Sequence, residues 1–185
     1  MTGMIALDRR DLLAGLGTLL GMAALPIDAL AVAKAGGKRL LDAPTTALVS
    51  ALADTLIPRT DTPGASQVGV PATFDAMLAK WASAPHRAAF LAALAAVDTA
   101  AKARTGKPFA QLPPSQRLAF LKAYDAENFG KNADYAKLKD LLVALYYFSE
   151  PGATVELRYE HIPGAWEASI PLTPQTRAWA GANGL

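Results

Sequence analysis

The chain of 185 residues contains no cysteine and only two histidines, His86 and His161. Without thiols, it can hold no disulfide, thiolate metal site, covalently attached haem or cysteine-ligated iron–sulfur cluster of its own. Redox chemistry, if the protein takes part in any, must be borrowed. The two histidines are far apart and no Asp or Glu stands at ligand spacing around them, so the sequence offers no metal site. Excess charge is missing too: the formal net charge is +2 and there is no basic run. That balance is too near neutral for a nucleic-acid partner held through its phosphates. There is no Gly-x-Gly-x-x-Gly after a strand and no phosphate loop, so no cofactor site is recognisable in this chain. Ser149, His161 and an acid can be written down as a triad, but no nucleophile elbow supports it.

What is present is alanine and helix. Apolar residues make up 52% of the chain, and much of that is alanine, which favours helix while contributing little buried area per residue. The length suits one domain with a modest core. The pattern predicts an all-α fold: a compact bundle of about five helices with a long irregular C-terminal tail, preceded by an N-terminal signal segment.

Asp42 and Pro44 start a helix that runs to Ile57, and Pro71 opens a second whose Phe74, Met77, Leu78 and Trp81 share a bulky face. Met77 reads as core filler rather than a ligand. The alanine-dense stretch 88–103 carries Phe90, Leu91, Leu94, Val97 and Ala101 on one stripe and stops at Gly106 and Pro108. Phe109 and Leu112 are expected to tuck a connector onto the core. Pro113 or Pro114 opens the next helix, with Leu118, Phe120, Leu121 and Tyr124 inward. The last spans Asp134 to Tyr147, with Leu138, Leu141, Leu142, Leu145 and Tyr146 as its stripe.

Residues 1–31 read as an export signal. The arginine pair Arg9-Arg10 precedes an apolar run from Leu12 to Leu25, and Ala29-Leu30-Ala31 forms a small-residue cleavage site. The pair points to the twin-arginine route and its translocase. The alternative is an uncleaved anchor. Fourteen positions at helical rise reach roughly 21 Å, short of the roughly 30 Å hydrocarbon core. A linker, 32–42, separates this segment from a helical domain at 43–185. The twin-arginine route carries folded proteins, typically because a cofactor was inserted beforehand. A cofactor-free chain with such a signal implies a passenger: a folded partner exported while bound to it.

Two stretches stand out from the helices. One is the loop of residues 54–71, rich in Asp, Thr, Pro and Gly, with Arg59, Asp61 and Pro63 at its heart. The other begins at about 150, where helical periodicity ends. There Val155-Glu156-Leu157-Arg158-Tyr159 alternates as a short isolated strand would. Tyr159, His161 and Trp166 follow among prolines, in a tail that either wraps its own domain or lies across another protein. Tyr and Trp favour the interface reading, because they serve as anchors in protein contacts. The expected partner-binding residues are Arg59, Asp61, Pro63, Tyr147, Glu150, Arg158, Tyr159, His161 and Trp166. His161 is also a candidate to enter a partner's active-site mouth.

Ala53-Asp54-Thr55-Leu56-Ile57-Pro58, Thr60-Asp61-Thr62-Pro63-Gly64-Ala65, Gly69-Val70-Pro71, Phe109 to Leu112 and Tyr146 through Trp166 resemble, in order, the gluconate 2-dehydrogenase subunit 3 family. Tyr147-Phe148-Ser149 stands where Tyr-Thr-Ser-like sequences are common in that family. The resemblance implies a small, mainly helical subunit of a periplasmic dehydrogenase complex, without catalytic residues of its own. Its large partner would be a glucose–methanol–choline-type oxidoreductase carrying FAD, and a cytochrome c subunit with haem often completes the electron path. Sugars, sugar acids, polyols or glycosides are the implied substrates, and help in folding or export of the flavin subunit is the implied role. A stand-alone periplasmic helical enzyme or ligand-binding domain is the alternative.

Overall fold

A computed structural model describes residues 39–128, 130–159, 169 and 171–178. The expected signal segment with Arg9 and Arg10, and the linker up to residue 38, lie outside the described residues. Among the described residues there are five α-helices, one 3-10 turn, one π-helical turn and no strand. No helix of the described residues is long and apolar enough to cross a membrane.

Helix α1, Ala43–Leu56, begins where Asp42 caps it: the carboxylate accepts the Thr45 N–H at 2.9 Å, and a proline stands in the first turn. Hydrogen bonds from Thr45 hold the Asp42 carboxyl below its ordinary range. Leu48, Val49, Ala51, Leu52 and Ala53 are buried. Helices α2 (Val70–Lys80), α3 (Ala84–Thr105), α4 (Pro114–Asn128) and α5 (Ala133–Tyr147) all pack on α1. The 3-10 turn Phe109–Gln111 does so too. Alanine explains this central position, since small side chains let neighbours approach from several sides at once.

Each helix adds bulk to one shared cluster. Phe74 of α2 meets Phe90 of α3 edge to face at 6.1 Å. Phe109 contacts Phe120 at 5.7 Å, Phe120 stacks on Tyr124 at 5.7 Å, and Tyr124 meets Tyr135 of α5 edge-on at 5.0 Å. This ladder joins the 3-10 turn, α4 and α5. Full burial of an aromatic or leucine side chain stabilises by about 1.5–3 kcal/mol, and offset or edge contacts add roughly 0.5–1.5 kcal/mol per pair. On the rim, Arg104 of α3 grips Glu127 of α4 through two bonds of 3.0 and 2.5 Å while its guanidinium lies 5.6 Å from the Phe120 ring.

Most helix ends follow their local signals. Gly106, in a left-handed conformation with φ 74°, ends α3, and Asn132 caps α5 by accepting the Tyr135 N–H at 3.0 Å. Helix α2 starts one residue before the expected proline, with Gly69 as its cap. Met77 is 3% exposed in the core. Two residues expected inside are not: Trp81 is 47% exposed and Leu118 44% exposed. Trp81 is the C-terminal cap of α2, where the apolar face runs out. Leu118 lies about a third of a turn from the mean direction of the buried residues Phe120, Leu121 and Tyr124.

Ahead of α1 the chain is already held. Asp75, buried on α2, accepts the Leu41 N–H at 2.7 Å and the Leu40 N–H at 3.0 Å, and the Leu41 side chain is in the core. Asp75→Ala leaves two amides without their acceptor. It should lower the unfolding free energy by about 1–3 kcal/mol, read from denaturant titration, and speed exchange of the Leu40 and Leu41 amides.

Tyr135 donates to Asp125 at 3.2 Å, and Lys139 pairs with the same carboxylate oxygen at 2.6 Å. Burial, then the adjacent Asp125 charge, pushes the Tyr135 hydroxyl far above the ordinary phenol range, and burial raises Tyr124 as well. Both phenols therefore keep their protons in the folded state at pH values where the unfolded chain loses them. Stability should hold below about pH 10, the unperturbed phenol value, and fall as pH rises beyond it. Tyr135→Phe should flatten that fall in denaturant titrations run across the alkaline range.

Candidate partner-docking site

The loop between α1 and α2 is knit by its own backbone. The Ala65 N–H returns to the Ile57 carbonyl at 3.1 Å, and the Ser66 N–H reaches the Asp54 carboxylate of α1 at 2.8 Å. Within it, the Thr60 N–H bonds to the Thr62 carbonyl at 3.1 Å, and Thr62 is 5% exposed. The chain doubles back so closely at Gly64 that a side-chain carbon there would stand 2.9 Å from the Arg59 backbone nitrogen. These bonds make the loop a shaped element rather than a slack connector.

The end of α5 comes to meet it. Tyr146 is fully buried, and its hydroxyl donates to the Pro63 carbonyl at 2.9 Å. A buried phenol needs an acceptor, and burial pushes Tyr146 above the ordinary phenol range. The Tyr147 ring stands edge-on to Tyr146 at 5.3 Å and is 38% exposed, followed by Phe148 at 42%.

After α5 the chain does not form the short strand expected over 155–159. It makes a π-helical turn, Gly152–Glu156, closed by Leu157 N–H to the Gly152 carbonyl at 3.1 Å. Ser149 dictates this. Its buried hydroxyl donates to the Tyr146 carbonyl at 2.6 Å and accepts the Gly152 N–H at 3.1 Å, drawing the chain back over the helix end. Position 152 must be glycine, since a side-chain carbon would lie 2.1 Å from the Tyr146 carbonyl oxygen. The Ser149 hydroxyl is thus spent on backbone, a structural role rather than that of a nucleophile.

The segment 171–178 closes the arrangement. Arg177 reaches Asp61 of the loop at 2.8 Å and Glu156 of the π turn at 3.7 Å. The Arg158 N–H donates to the Ala178 carbonyl at 2.8 Å. The Thr60 hydroxyl first, then its own backbone and Arg177, hold the Asp61 carboxyl below its ordinary range. Between this segment and the π turn lies an open cleft of about 330 Å³.

The residues singled out in the sequence are therefore placed as follows. Asp61, Pro63 and Arg158 belong to this junction through the bonds just described, and Tyr147 lies at its edge. Arg59 is exposed, and Asp61 pairs with Arg177 rather than with Arg59. Glu150 is exposed, and its carbonyl accepts the Thr154 hydroxyl at 2.8 Å. Tyr159 is 53% exposed. His161 and Trp166 lie outside the described residues. Sequence reading passed over Arg177, Glu156, Ser149 as a brace and Tyr146 as the loop's anchor. Of these, only the Ser-x-x-Gly spacing of 149 to 152 was a local signal.

A model of the gluconate 2-dehydrogenase subunit 3 family matches residues 43–164. The chain belongs to that family. The match takes in the whole helical body, the loop and the π turn, and stops before the segment 171–178. Membership in the gluconate 2-dehydrogenase subunit 3 family makes the chain an accessory subunit of a dehydrogenase complex. No curated protein and no solved structure matches it.

Gly152→Ala should be the harshest small change at this junction. Forcing a methyl into a packed contact costs about 1–3 kcal/mol. We expect a lower melting temperature and faster tryptic cleavage after Arg158.

Proposed function

We propose that the chain is a non-catalytic small subunit that binds the FAD-carrying large subunit of a glucose–methanol–choline-type dehydrogenase. In this reading it aids the folding, stability and twin-arginine export of that partner to the periplasm. A cytochrome c subunit carrying haem completes the complex, which oxidises a sugar, sugar acid or glycoside. The observation that carries the reading is the convergence of the loop, the end of α5 and the π turn within the family-matched residues. The Ser149 hydroxyl there is spent on backbone, and the Asp61 and Glu156 carboxylates on Arg177. The exposed large side chains of these elements include Tyr147, Phe148, Val155 and Tyr159, between 38% and 53% exposed, and their exposed charges include Arg59, Asp61 and Glu150. Exposed aromatics together with charged side chains are the make-up of a contact surface.

Binding of the folded partner also explains how a small chain without a cofactor stabilises a flavoprotein: whatever binds only the native form shifts its folding equilibrium by mass action. Arg9 and Arg10 supply the export signal for both chains. His161 and Trp166, just beyond Tyr159, are proposed to extend the contact, with His161 nearest the partner's active-site mouth.

The test is to tag Leu185, isolate the chain from periplasm and record whether a much larger polypeptide with flavin absorbance accompanies it. Tyr147→Ala and Tyr159→Ala should each reduce the flavin retained by about tenfold, the effect of losing an interface anchor, with the helical fold retained by circular dichroism and, for Tyr147→Ala, a melting temperature lowered only by the lost edge contact with Tyr146. A wild-type chain that emerges alone, folded and colourless overturns the reading and favours a stand-alone helical protein.

A further inference from the structure

The segment 171–178 lies beyond the family-matched residues, yet it is fastened to two elements within them. Its own turn is tight: the Thr176 N–H reaches the Thr173 carbonyl at 3.0 Å, and the Thr173 N–H reaches the Thr176 hydroxyl at 2.9 Å. That turn presents Arg177 to Asp61 on one side and Glu156 on the other. Ala178 takes the Arg158 N–H. Asp61 and Glu156 are 95 positions apart (156 − 61), and Arg177 is the residue that ties them.

We propose that residues 171–178 form a clasp pinned by Arg177, which sets the loop and the π turn in one docking geometry and so tunes binding of this chain's own partner. The proposal rests on the subunit reading for the partner's nature. Arg177 acts here as a positioning residue.

The chemistry suits the task. A guanidinium carries donors on separate nitrogens in a fixed plane, so its two ends can serve two carboxylates at once, whereas a lysine ammonium is a single point charge. The Arg177 side chain is 38% exposed, and those of Asp61 and Glu156 are 76% and 32% exposed. Pairs so wetted are weak and screened by salt. The clasp therefore opens and closes in the free chain, and the partner binds the closed fraction, so its apparent affinity scales with that fraction.

Hydrogen exchange on the free chain and flavin retention on the complex test this together. Arg177→Ala should speed exchange of the Arg158 amide by about two- to fivefold, the range expected for an exposed ion-pair network. High salt should speed it in the wild type and leave the variant unchanged. Asp61→Asn should give part of the effect, and adding Arg177→Ala to it should give less than the two changes summed. Arg177→Lys should recover only part of the protection. Flavin retention should fall in the same order while melting temperatures stay level. An Arg158 amide indifferent to Arg177→Ala overturns the clasp. Faster exchange with retention unchanged overturns its role in docking. A wild-type chain that carries no flavoprotein overturns the subunit reading instead, and the exchange data still decide the clasp.

Discussion

The docking end is organised around one buried residue, Tyr146. Tyr146 is completely buried, and a phenol there without an acceptor would cost about 1–3 kcal/mol. The Pro63 carbonyl answers that need across 83 positions of sequence. Because it does, the loop cannot drift from the end of α5, and Asp61 is kept where the later chain can find it. The same residue offers its own carbonyl to Ser149, which folds the chain back into the π turn. Tyr146 thus anchors the loop with its side chain and the π turn with its backbone.

The division of labour between core and rim follows from composition. Alanine lets four helices gather around α1, while a few aromatics supply the bulk that alanine lacks. Polar side chains near the docking end are occupied in shaping backbone: Asp54 holds the loop, Ser149 the π turn, and the Thr60 hydroxyl accepts the Thr62 N–H. A protein built in this way offers a shaped surface and a set of exposed rings. That suits a subunit whose task in a dehydrogenase complex is contact, as proposed above.

The helical body was legible because its signals are local. Asp42 with Pro44, Gly106 with Pro108, and Pro114 each announce a boundary within a few residues, and helical periodicity picked out Leu94, Val97, Leu138 and Leu142. Periodicity marks a direction on a helix, not how far its neighbours extend, so Trp81 and Leu118 were expected inside and lie in solvent. The alternation at Val155, Leu157 and Tyr159 had the period of a strand, but Ser149 and the contact of Gly152 with Tyr146 impose a turn that no such period encodes. For the docking end, Asp61, Pro63 and Tyr147 were visible as unusual residues. Arg177 was not, because its meaning lies in a partner 116 positions away.

The hold of Asp75 on the chain ahead of α1 differs in kind from these side-chain contacts. Its carboxylate grips peptide N–H groups of residues 40 and 41, which every amino acid but proline possesses. Leu41 is further tied by its buried side chain, but Leu40 is 40% exposed and is recognised by its backbone alone. The hold of Asp75 on position 40 is therefore indifferent to the side chain carried there. A substitution there keeps the N–H bond to Asp75 unless it introduces an imino acid, so this point of attachment leaves little trace in side-chain identity.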